Sequence, residues 1–432
     1  MDISLPLWAD LLVAASVLLF AWIGVQFLTR GNPVAVIRRL ERAGGATGIG
    51  DPLFRRTIEA HLNTTFRDGN AVDVLDNGAV FERLFTDLRA ARDTITWHVF
   101  WFKPGRLADE VGAILHERAR AGVTVLFLRD AFGSRARWGD YFERLRVAGV
   151  DVATFRPLSW RTLYKVQQRS HMRAVVIDGV IGYTGGFAID DRWRGDGRQP
   201  GAWRDTSARF RGPVVAQLQS SFAADWAEAT GELIVGDRVF PRATEQQAGD
   251  SYAGLLYSAP SLGSTDAERY FALAIAGARE SLYITNAYFI PDDDFRGFLI
   301  DAVSRGVDVR ILTPGANTDK KAVWYAGRRH FEPLLAAGVR IYEYRPTMVH
   351  AKTLVADRCW SSIGTINFDN RSLSLNDEVA LLVHDRKVAE HLHDRFLADL
   401  ELADPLDLET FRRRAAVGRL LERLAVLFAR LL

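Results

Sequence analysis

His350 to Asn367 reads HAKTLVADRCWSSIGTIN, and His171 to Ala188 reads HMRAVVIDGVIGYTGGFA, one phrase written twice at one spacing. In each copy a cation, Lys352 or Arg173, follows the histidine by two residues. Asp357 or Asp178 comes after four more, and a small-residue run, Gly364-Thr365-Ile366-Asn367 or Gly185-Gly186-Phe187-Ala188, closes the phrase. The apolar runs TLVA and AVVI read as strands, in which side chains at i and i+2 leave the same face. Histidine and cation are thereby aimed at one spot. The gap from aspartate to the glycines fits a hairpin return, where small residues let a backbone approach a ligand closely.

The repetition extends outward. Thr94 to Phe102 (TITWHVFWF) precedes a helical stretch to Arg120, and Ala121-Gly122-Val123 leads into VTVLFL. Leu282 to Ile290 (LYITNAYFI) precedes another helical stretch, and Arg305-Gly306-Val307 leads into VDVRIL. Ala148-Gly149-Val150 and Ala337-Gly338-Val339 each open a strand that ends at Arg156-Pro157 or Arg345-Pro346. Strands alternating with helices of about a dozen residues predict α/β layers, and so long a period is not a solenoid repeat. Two homologous domains are expected, 66–235 and 256–405, joined by a linker at 236–255, with 31–65 a connecting segment.

Of the 432 residues, 48% are apolar and 25% charged, which excludes a disordered, collagen-like or multi-span membrane chain. The 55 basic and 53 acidic residues leave a formal charge of +2, too small for a general phosphate-backbone surface, so no nucleic-acid partner is expected. Cys359 is the only cysteine, which excludes an intrachain disulfide and a cysteine-rich zinc site. No metal site is expected either at His391 and His393, which read as a solvated helix face.

The two ends read differently from the body. Leu11 to Leu28 carries no charge over eighteen residues, so 1–30 is expected to be a membrane anchor helix. Asp2 and Asp10 precede it and Arg30, Arg38, Arg39 and Arg42 follow, which places the remainder in the cytoplasm by the positive-inside rule. A buried core helix is the alternative. At the other end, Phe411 to Leu432 holds six arginines and one glutamate, with Leu420, Leu424, Leu427 and Leu431 at helical spacing. Segment 406–432 reads as a basic amphipathic helix for an anionic membrane surface, with docking on the protein's own core as the alternative.

The repeated constellation suits a phosphodiester. Cations neutralise non-bridging oxygens, one histidine attacks phosphorus and a second protonates the departing oxygen. One copy supplies one histidine; two facing copies supply both. The chain holds only six lysines, so a chance His-x-Lys-x4-Asp match with a second copy is hard to obtain.

On these motifs the sequence resembles the phospholipase D superfamily, and within it the bacterial cardiolipin synthases. The likeness covers about residues 65 to 400 and includes ARAGV, VVIDGVIGYTGG, WRDT, AGVRIYEY, HAKTLVAD and GTINFDNRS. It implies two phospholipase D-like α/β/α sandwich domains related by pseudo-two-fold symmetry. It also implies a two-step transfer without cofactor or metal, through a covalent phosphatidyl-histidine. His171 is the expected nucleophile and His350 the acid/base. Lys352 and Arg173 would hold phosphate oxygens, assisted by Asn367 and by Gly185, Gly186, Gly364 and Thr365. The carboxylates that position the histidines fall on Glu378, 28 residues beyond its own His350, and on Asp205 for the first copy. Asp178 and Asp357 complete the catalytic set as braces of the motif.

Two departures stand out. Arg173 replaces lysine, and Ala188 stands where asparagine is expected, so weakened activity is anticipated. The expected function is a phosphatidyltransferase acting on phosphatidylglycerol or similar phospholipids at the bacterial cytoplasmic membrane. Three other readings use the same residues: hydrolysis to phosphatidic acid, a superfamily nuclease, and a non-catalytic lipid-binding protein with a decayed first motif. The longer first spacer, with Trp160, Arg161, Tyr164, Lys165 and Arg169, reads as a lid or headgroup contact, or as a plain surface loop.

Overall fold

The computed structural model of the chain describes residues 7–29, 47–135, 138–157, 159, 167–242, 246–261 and 264–426. Trp160, Arg161, Tyr164, Lys165, Leu427 and Leu431 lie outside the described residues. The amino-terminal half contributes strands β1 (Arg67–Asp76), β2 (Thr94–Val99), β3 (Thr124–Asp130), β4 (Val150–Phe155), β5 (Arg173–Ile177), β6 (Ile181–Gly185) and β7 (Thr206–Arg211). The carboxy-terminal half contributes β8 (Ser251–Ser258), β9 (Ser281–Asn286), β10 (Asp308–Pro314), β11 (Arg340–Tyr344), β12 (Lys352–Ala356), β13 (Trp360–Gly364), β14 (Glu378–His384) and β15 (Ala403–Pro405).

All of them form one sheet, in the order β15-β11-β10-β9-β12-β13-β14-β8-β1-β7-β6-β5-β2-β3-β4. Read outward from the antiparallel β1–β8 seam, the order on one side repeats that on the other. The parallel pairs β2–β3 and β9–β10 require crossovers, supplied by helices Arg106–Arg120 and Asp293–Ser304. The motif strands β5 and β12 each turn back through a hairpin into β6 and β13.

Helices cover both faces, as the apolar run in β5 requires. Val175 and Ile177 pack with Leu84 and Val111 on one side, while Ala174 and Val176 pack with Val214 and Leu218 on the other. The layering is therefore α/β/α around β5. The alternation also carries Arg173 to the Val175 face, in step with His171.

Two boundaries differ from the sequence reading. Strand β8 begins at Ser251, inside the stretch read as a linker. Segment 31–65 is more than a connection, because helix Pro52–His61, capped by Asp51, buries Phe54 and Ile58 in the carboxy-terminal core. Phe54 meets Trp360 edge-on at 5.3 Å between ring centroids. Truncating it empties a well-packed site, so Phe54→Ala is expected to destabilise the fold by about 3–5 kcal/mol, read from denaturant unfolding.

Helix Leu7–Thr29 forms as expected, and its described side chains from Leu11 to Trp22 are exposed, unlike those of a core helix. Among the described residues no helix is long and apolar enough to cross a membrane. At the far end, helix Ala416–Val426 docks on helix Lys321–Arg328 through Glu422, which is buried and pairs with Arg414 at 2.7 Å and Arg328 at 3.8 Å. Val417, Leu420, Leu421 and Leu424 nevertheless remain exposed along its outer side. The docking alternative thus holds for one face of this helix, while another faces outward.

Candidate active site

The two histidines stand just before β5 and β12, where the halves meet. Two short backbone bridges cross there, pairing Ser170 with Asp377 and Val349 with Arg204. The His171 amide donates to the Asp377 carbonyl at 2.8 Å, and the His350 amide to the Arg204 carbonyl at 2.7 Å. Each histidine is therefore laid beside the residue that precedes the other half's carboxylate.

This crossing corrects the expected pairing. Glu378 holds His171, with its carboxylate oxygens 2.9 and 3.1 Å from Nδ1. Asp205 holds His350, 3.2 Å from Nδ1, and the Gly186 carbonyl lies 3.0 Å from the same nitrogen. Each carboxylate serves the histidine of the opposite half, because the bridges run between halves. The carbonyl of Gly186 accepts only, so His350 Nδ1 carries the proton and Nε2 keeps its lone pair. Lys352 Nζ lies 2.9 Å from Nδ1 and 3.0 Å from Nε2, and also donates to the His350 carbonyl.

The two carboxylates are braced differently. Thr365 Oγ1 donates to Glu378 at 2.5 Å, and the Trp193 indole N–H donates to Asp205 at 2.6 Å. Thr365 thus acts through Glu378. The glycines serve the fold's own close approaches: a Cβ on Gly186 would stand 2.1 Å from the Asp205 carboxylate. Added Cβ atoms on Gly185 and Gly364 would strike Ser207 and Val379 of the adjoining strands at 2.5 and 2.3 Å. These close approaches account for glycine at the three positions within the fold itself.

Asp178 and Asp357 stand at the far ends of β5 and β12 from the histidines, where they brace the motif as the sequence reading has them. Asp178 accepts the amides of Arg92, Asp93 and Thr94; Asp357 accepts those of Arg279, Glu280 and Ser281. Both aspartates sit at positive φ, 50° and 49°, tying the hairpin to the start of the neighbouring strand. Arg169 of the first spacer is buried and donates to the Arg156 carbonyl, so it belongs to the frame.

Arg173 shows what its departure from lysine does. Its Nε donates to the Phe187 carbonyl and Nη1 to the His171 carbonyl, while Nη2 has no hydrogen-bond partner among the described residues. The fork spans from the backbone to the site. Asn367 places a buried Oδ1 without a hydrogen-bond partner among the described residues, whereas its counterpart Ala188 joins the apolar core. Four aromatic side chains neighbour the histidines. Phe100 stands edge-on to His171 at 4.9 Å, and Trp193, Trp203 and Tyr288 surround His350 at 5.0, 5.5 and 6.4 Å. Strand alternation ends at Val99, so no periodic signal marked Phe100 or Tyr288. His393 is likewise buried, stacked on Tyr283 at 5.0 Å, rather than solvated.

Burial holds His171 well below the usual histidine range, reinforced by the charges of Arg173, Lys352, Lys320 and Arg371. Burial and Lys352 do the same to His350, against the pull of Asp205. Each ring thus feels cations of both motifs, which ties the halves into one site. Burial also pushes Glu378 up to about 7. Burial raises Asp205 too, but its hydrogen bond and attraction to His350, the charge of Lys352 and the Trp193 N–H outweigh it and leave its pKa low.

These shifts set a pH dependence. Protonated Glu378 donates to His171 Nδ1 and forces the ring proton onto Nε2, whereas ionised Glu378 accepts from Nδ1 and frees the Nε2 lone pair. Because His350 must carry a proton to act as the acid, activity falls at high pH, and ionisation of Glu378, pushed by burial up to about 7, adds a limb that rises with pH, so the profile is bell-shaped. A pH profile of kcat/KM checks this, and Glu378→Gln is expected to lower the rate and flatten the rising limb.

Known proteins match this chain broadly. The family model described as cardiolipin synthase, PLD-like domain, matches residues 272–400. A cardiolipin synthase of Halalkalibacterium halodurans is 34% identical over 403 residues, covering 93% of this chain and 79% of that one. Cardiolipin synthase 2 of Bacillus anthracis is 36% identical over 366 residues, covering 84% of this chain and 70% of that one. Among solved structures, the phosphatidylserine synthase of Haemophilus influenzae superposes with a TM-score of 0.66 at 14% identity, covering 87% of this chain and 97% of that one. That structural likeness shares the fold, while the sequence relatives carry the activity. The chain belongs to the cardiolipin synthase family of phospholipase D-like enzymes, phosphatidyltransferases of phospholipid synthesis.

Proposed function

We propose that the chain transfers a phosphatidyl group from one phosphatidylglycerol to the headgroup hydroxyl of another through a phosphatidyl-histidine on His171. The observation that carries this reading is the exchange of carboxylates, Glu378 onto His171 and Asp205 onto His350. It gives two buried imidazoles, each with an Nε2 available for chemistry, from two halves of the chain.

In the first step His171 Nε2 attacks phosphorus, forming a P–N bond as the P–O bond to the leaving glycerol breaks. His350 gives its Nε2 proton to the departing oxygen. The phosphodiester anion favours that protonated form by offsetting the charges of Lys352 and Arg173, which otherwise hold the ring neutral. In the second step neutral His350 takes the proton of the acceptor hydroxyl, the new P–O bond forms and the P–N bond breaks. Lys352 and the free edge of Arg173 hold the non-bridging oxygens, and Asn367 lies beside them. Loss of a second asparagine at Ala188 removes one contact.

The two halves are read as homologous α/β/α domains related by a pseudo-two-fold axis, with the repeated strand order as support. Helix Leu7–Thr29, exposed from Leu11 to Trp22, is read as resting in the membrane rather than crossing it, and the catalytic body as lying on the cytoplasmic side of the bacterial inner membrane. The exposed Val417, Leu420, Leu421 and Leu424 rest on an anionic lipid surface with Arg419 and Arg423 in the headgroups.

Purified protein in vesicles containing labelled phosphatidylglycerol tests the reading. Cardiolipin plus glycerol is expected. Phosphatidic acid as the sole lipid product would make the enzyme a hydrolase, and absence of both products would remove the transferase reading.

A further inference from the structure

Two cations lie at the edge of the site without belonging to either motif. Lys320 places Nζ 4.9 Å from the centroid of the Tyr288 ring, which in turn stands 6.4 Å from the His350 ring. Arg371 forks onto Gln167, donating to its side-chain oxygen at 3.1 Å and its carbonyl at 3.2 Å, four residues ahead of His171. Neither has an ion-pair partner among the described residues. Of the nearby carboxylates, Asp319 accepts the Tyr288 hydroxyl at 2.9 Å and Asp369 accepts the Ser372 amide at 2.8 Å, and the Asp369 charge attracts both cations without an ion pair at contact distance.

The other half supplies an internal control. Phe102–Ile189 and Phe289–Phe368 are equivalent bridges, so Trp101 occupies the place of Tyr288. Trp101 also carries a lysine, Lys103, at 4.3 Å. There, however, Asp190 answers the charge, lying 4.0 Å from Lys103 and 2.7 Å from Arg192, and accepting the Trp101 indole N–H at 3.1 Å. At the Tyr288 edge, by contrast, no carboxylate contacts either cation among the described residues, although Asp369 attracts both from further off. Lys320 also immediately precedes helix Lys321–Arg328, whose N-terminal dipole adds to the positive field.

The reaction proposed above supplies a second anion. Arg173 and Lys352 answer the donor phosphodiester, but an acceptor phospholipid brings a phosphodiester of its own. That group lies one glycerol away from the hydroxyl that must reach phosphorus. It needs a cation beside the histidines and outside the motif.

We propose that Lys320 and Arg371 form a second anion subsite that holds the phosphodiester of the acceptor phospholipid and so selects a lipid over water or a simple alcohol as acceptor. The inference rests on the transferase reading and names the acceptor side of that same site. Lys320 acts as a mobile point charge at the rim, and Arg371 as the fixed, planar partner. Their asymmetry also gives the pseudo-symmetric site a direction, with the acceptor entering from the side of Tyr288.

The test compares acceptors in the full-length protein. Lys320→Ala and Lys320→Arg, with Lys320 exposed at the surface, are assayed in mixed micelles for transfer to phosphatidylglycerol and to isotopically labelled glycerol as a neutral acceptor, the latter read as label entering phosphatidylglycerol. Lys320→Ala is expected to raise the KM for phosphatidylglycerol and cut its kcat/KM advantage over glycerol about tenfold, as for loss of a charge-assisted contact. Product should shift from cardiolipin towards phosphatidic acid, and Lys320→Arg should restore most of the preference. Arg371→Gln is expected to act in the same direction. An equal fall with both acceptors, or no change with either, would overturn the subsite while leaving the transferase intact. If the unsubstituted protein makes no cardiolipin, the transferase reading falls and the subsite with it.

Discussion

Replacing His171 with alanine is expected to lower glycerol release from phosphatidylglycerol roughly 10⁴-fold or more, because it removes the atom that takes the phosphatidyl group. The side chain is 7% exposed and its Nδ1 is already committed to Glu378. Alanine leaves Glu378 without its ring, but Thr365 and Asn376 still reach that carboxylate, at 2.5 and 3.4 Å. The fold should therefore persist, and an unchanged unfolding transition would separate lost chemistry from lost structure. A variant that keeps turnover within tenfold of the original would remove His171 from the role of nucleophile.

Replacing His350 with asparagine should lower transfer between natural lipids roughly 10²- to 10⁴-fold, the usual worth of a positioned acid/base. Its signature differs from that of His171→Ala. A phosphatidyl ester whose leaving group departs without a proton bypasses the acid in the first step but still needs the base in the second. The His350 variant is then expected to release about one equivalent of leaving group in a burst and stall as the covalent enzyme. His171→Ala should show no burst. A His350 variant without a burst, but with a His171 variant that has one, would exchange the two roles.

Much of this site was legible in the sequence because its essentials are local. His350 and Lys352, like His171 and Arg173, are fixed by strand alternation, and the repeated spacing announced two copies. The hairpin returns formed where the aspartates and glycines placed them. Partner choice was not local. Glu378 follows His350 closely in the chain, yet the Ser170–Asp377 bridge carries it to His171. Only the assembly of both halves creates that contact. The glycines have a second role for a related reason, since Gly186 meets Asp205 and Gly364 meets Val379, contacts invisible until the strands pair. Helix Pro52–His61 was passed over because its apolar positions, Phe54 and Ile58, span only one helical repeat.

The most direct measurement is mass mapping of the enzyme quenched during turnover with labelled phosphatidylglycerol. Adduct mass is predicted on the peptide bearing His171, increased in the His350 variant and missing from the His171 variant. Adduct on any other residue, or undiminished transfer with no adduct at any quench time, would contradict the account.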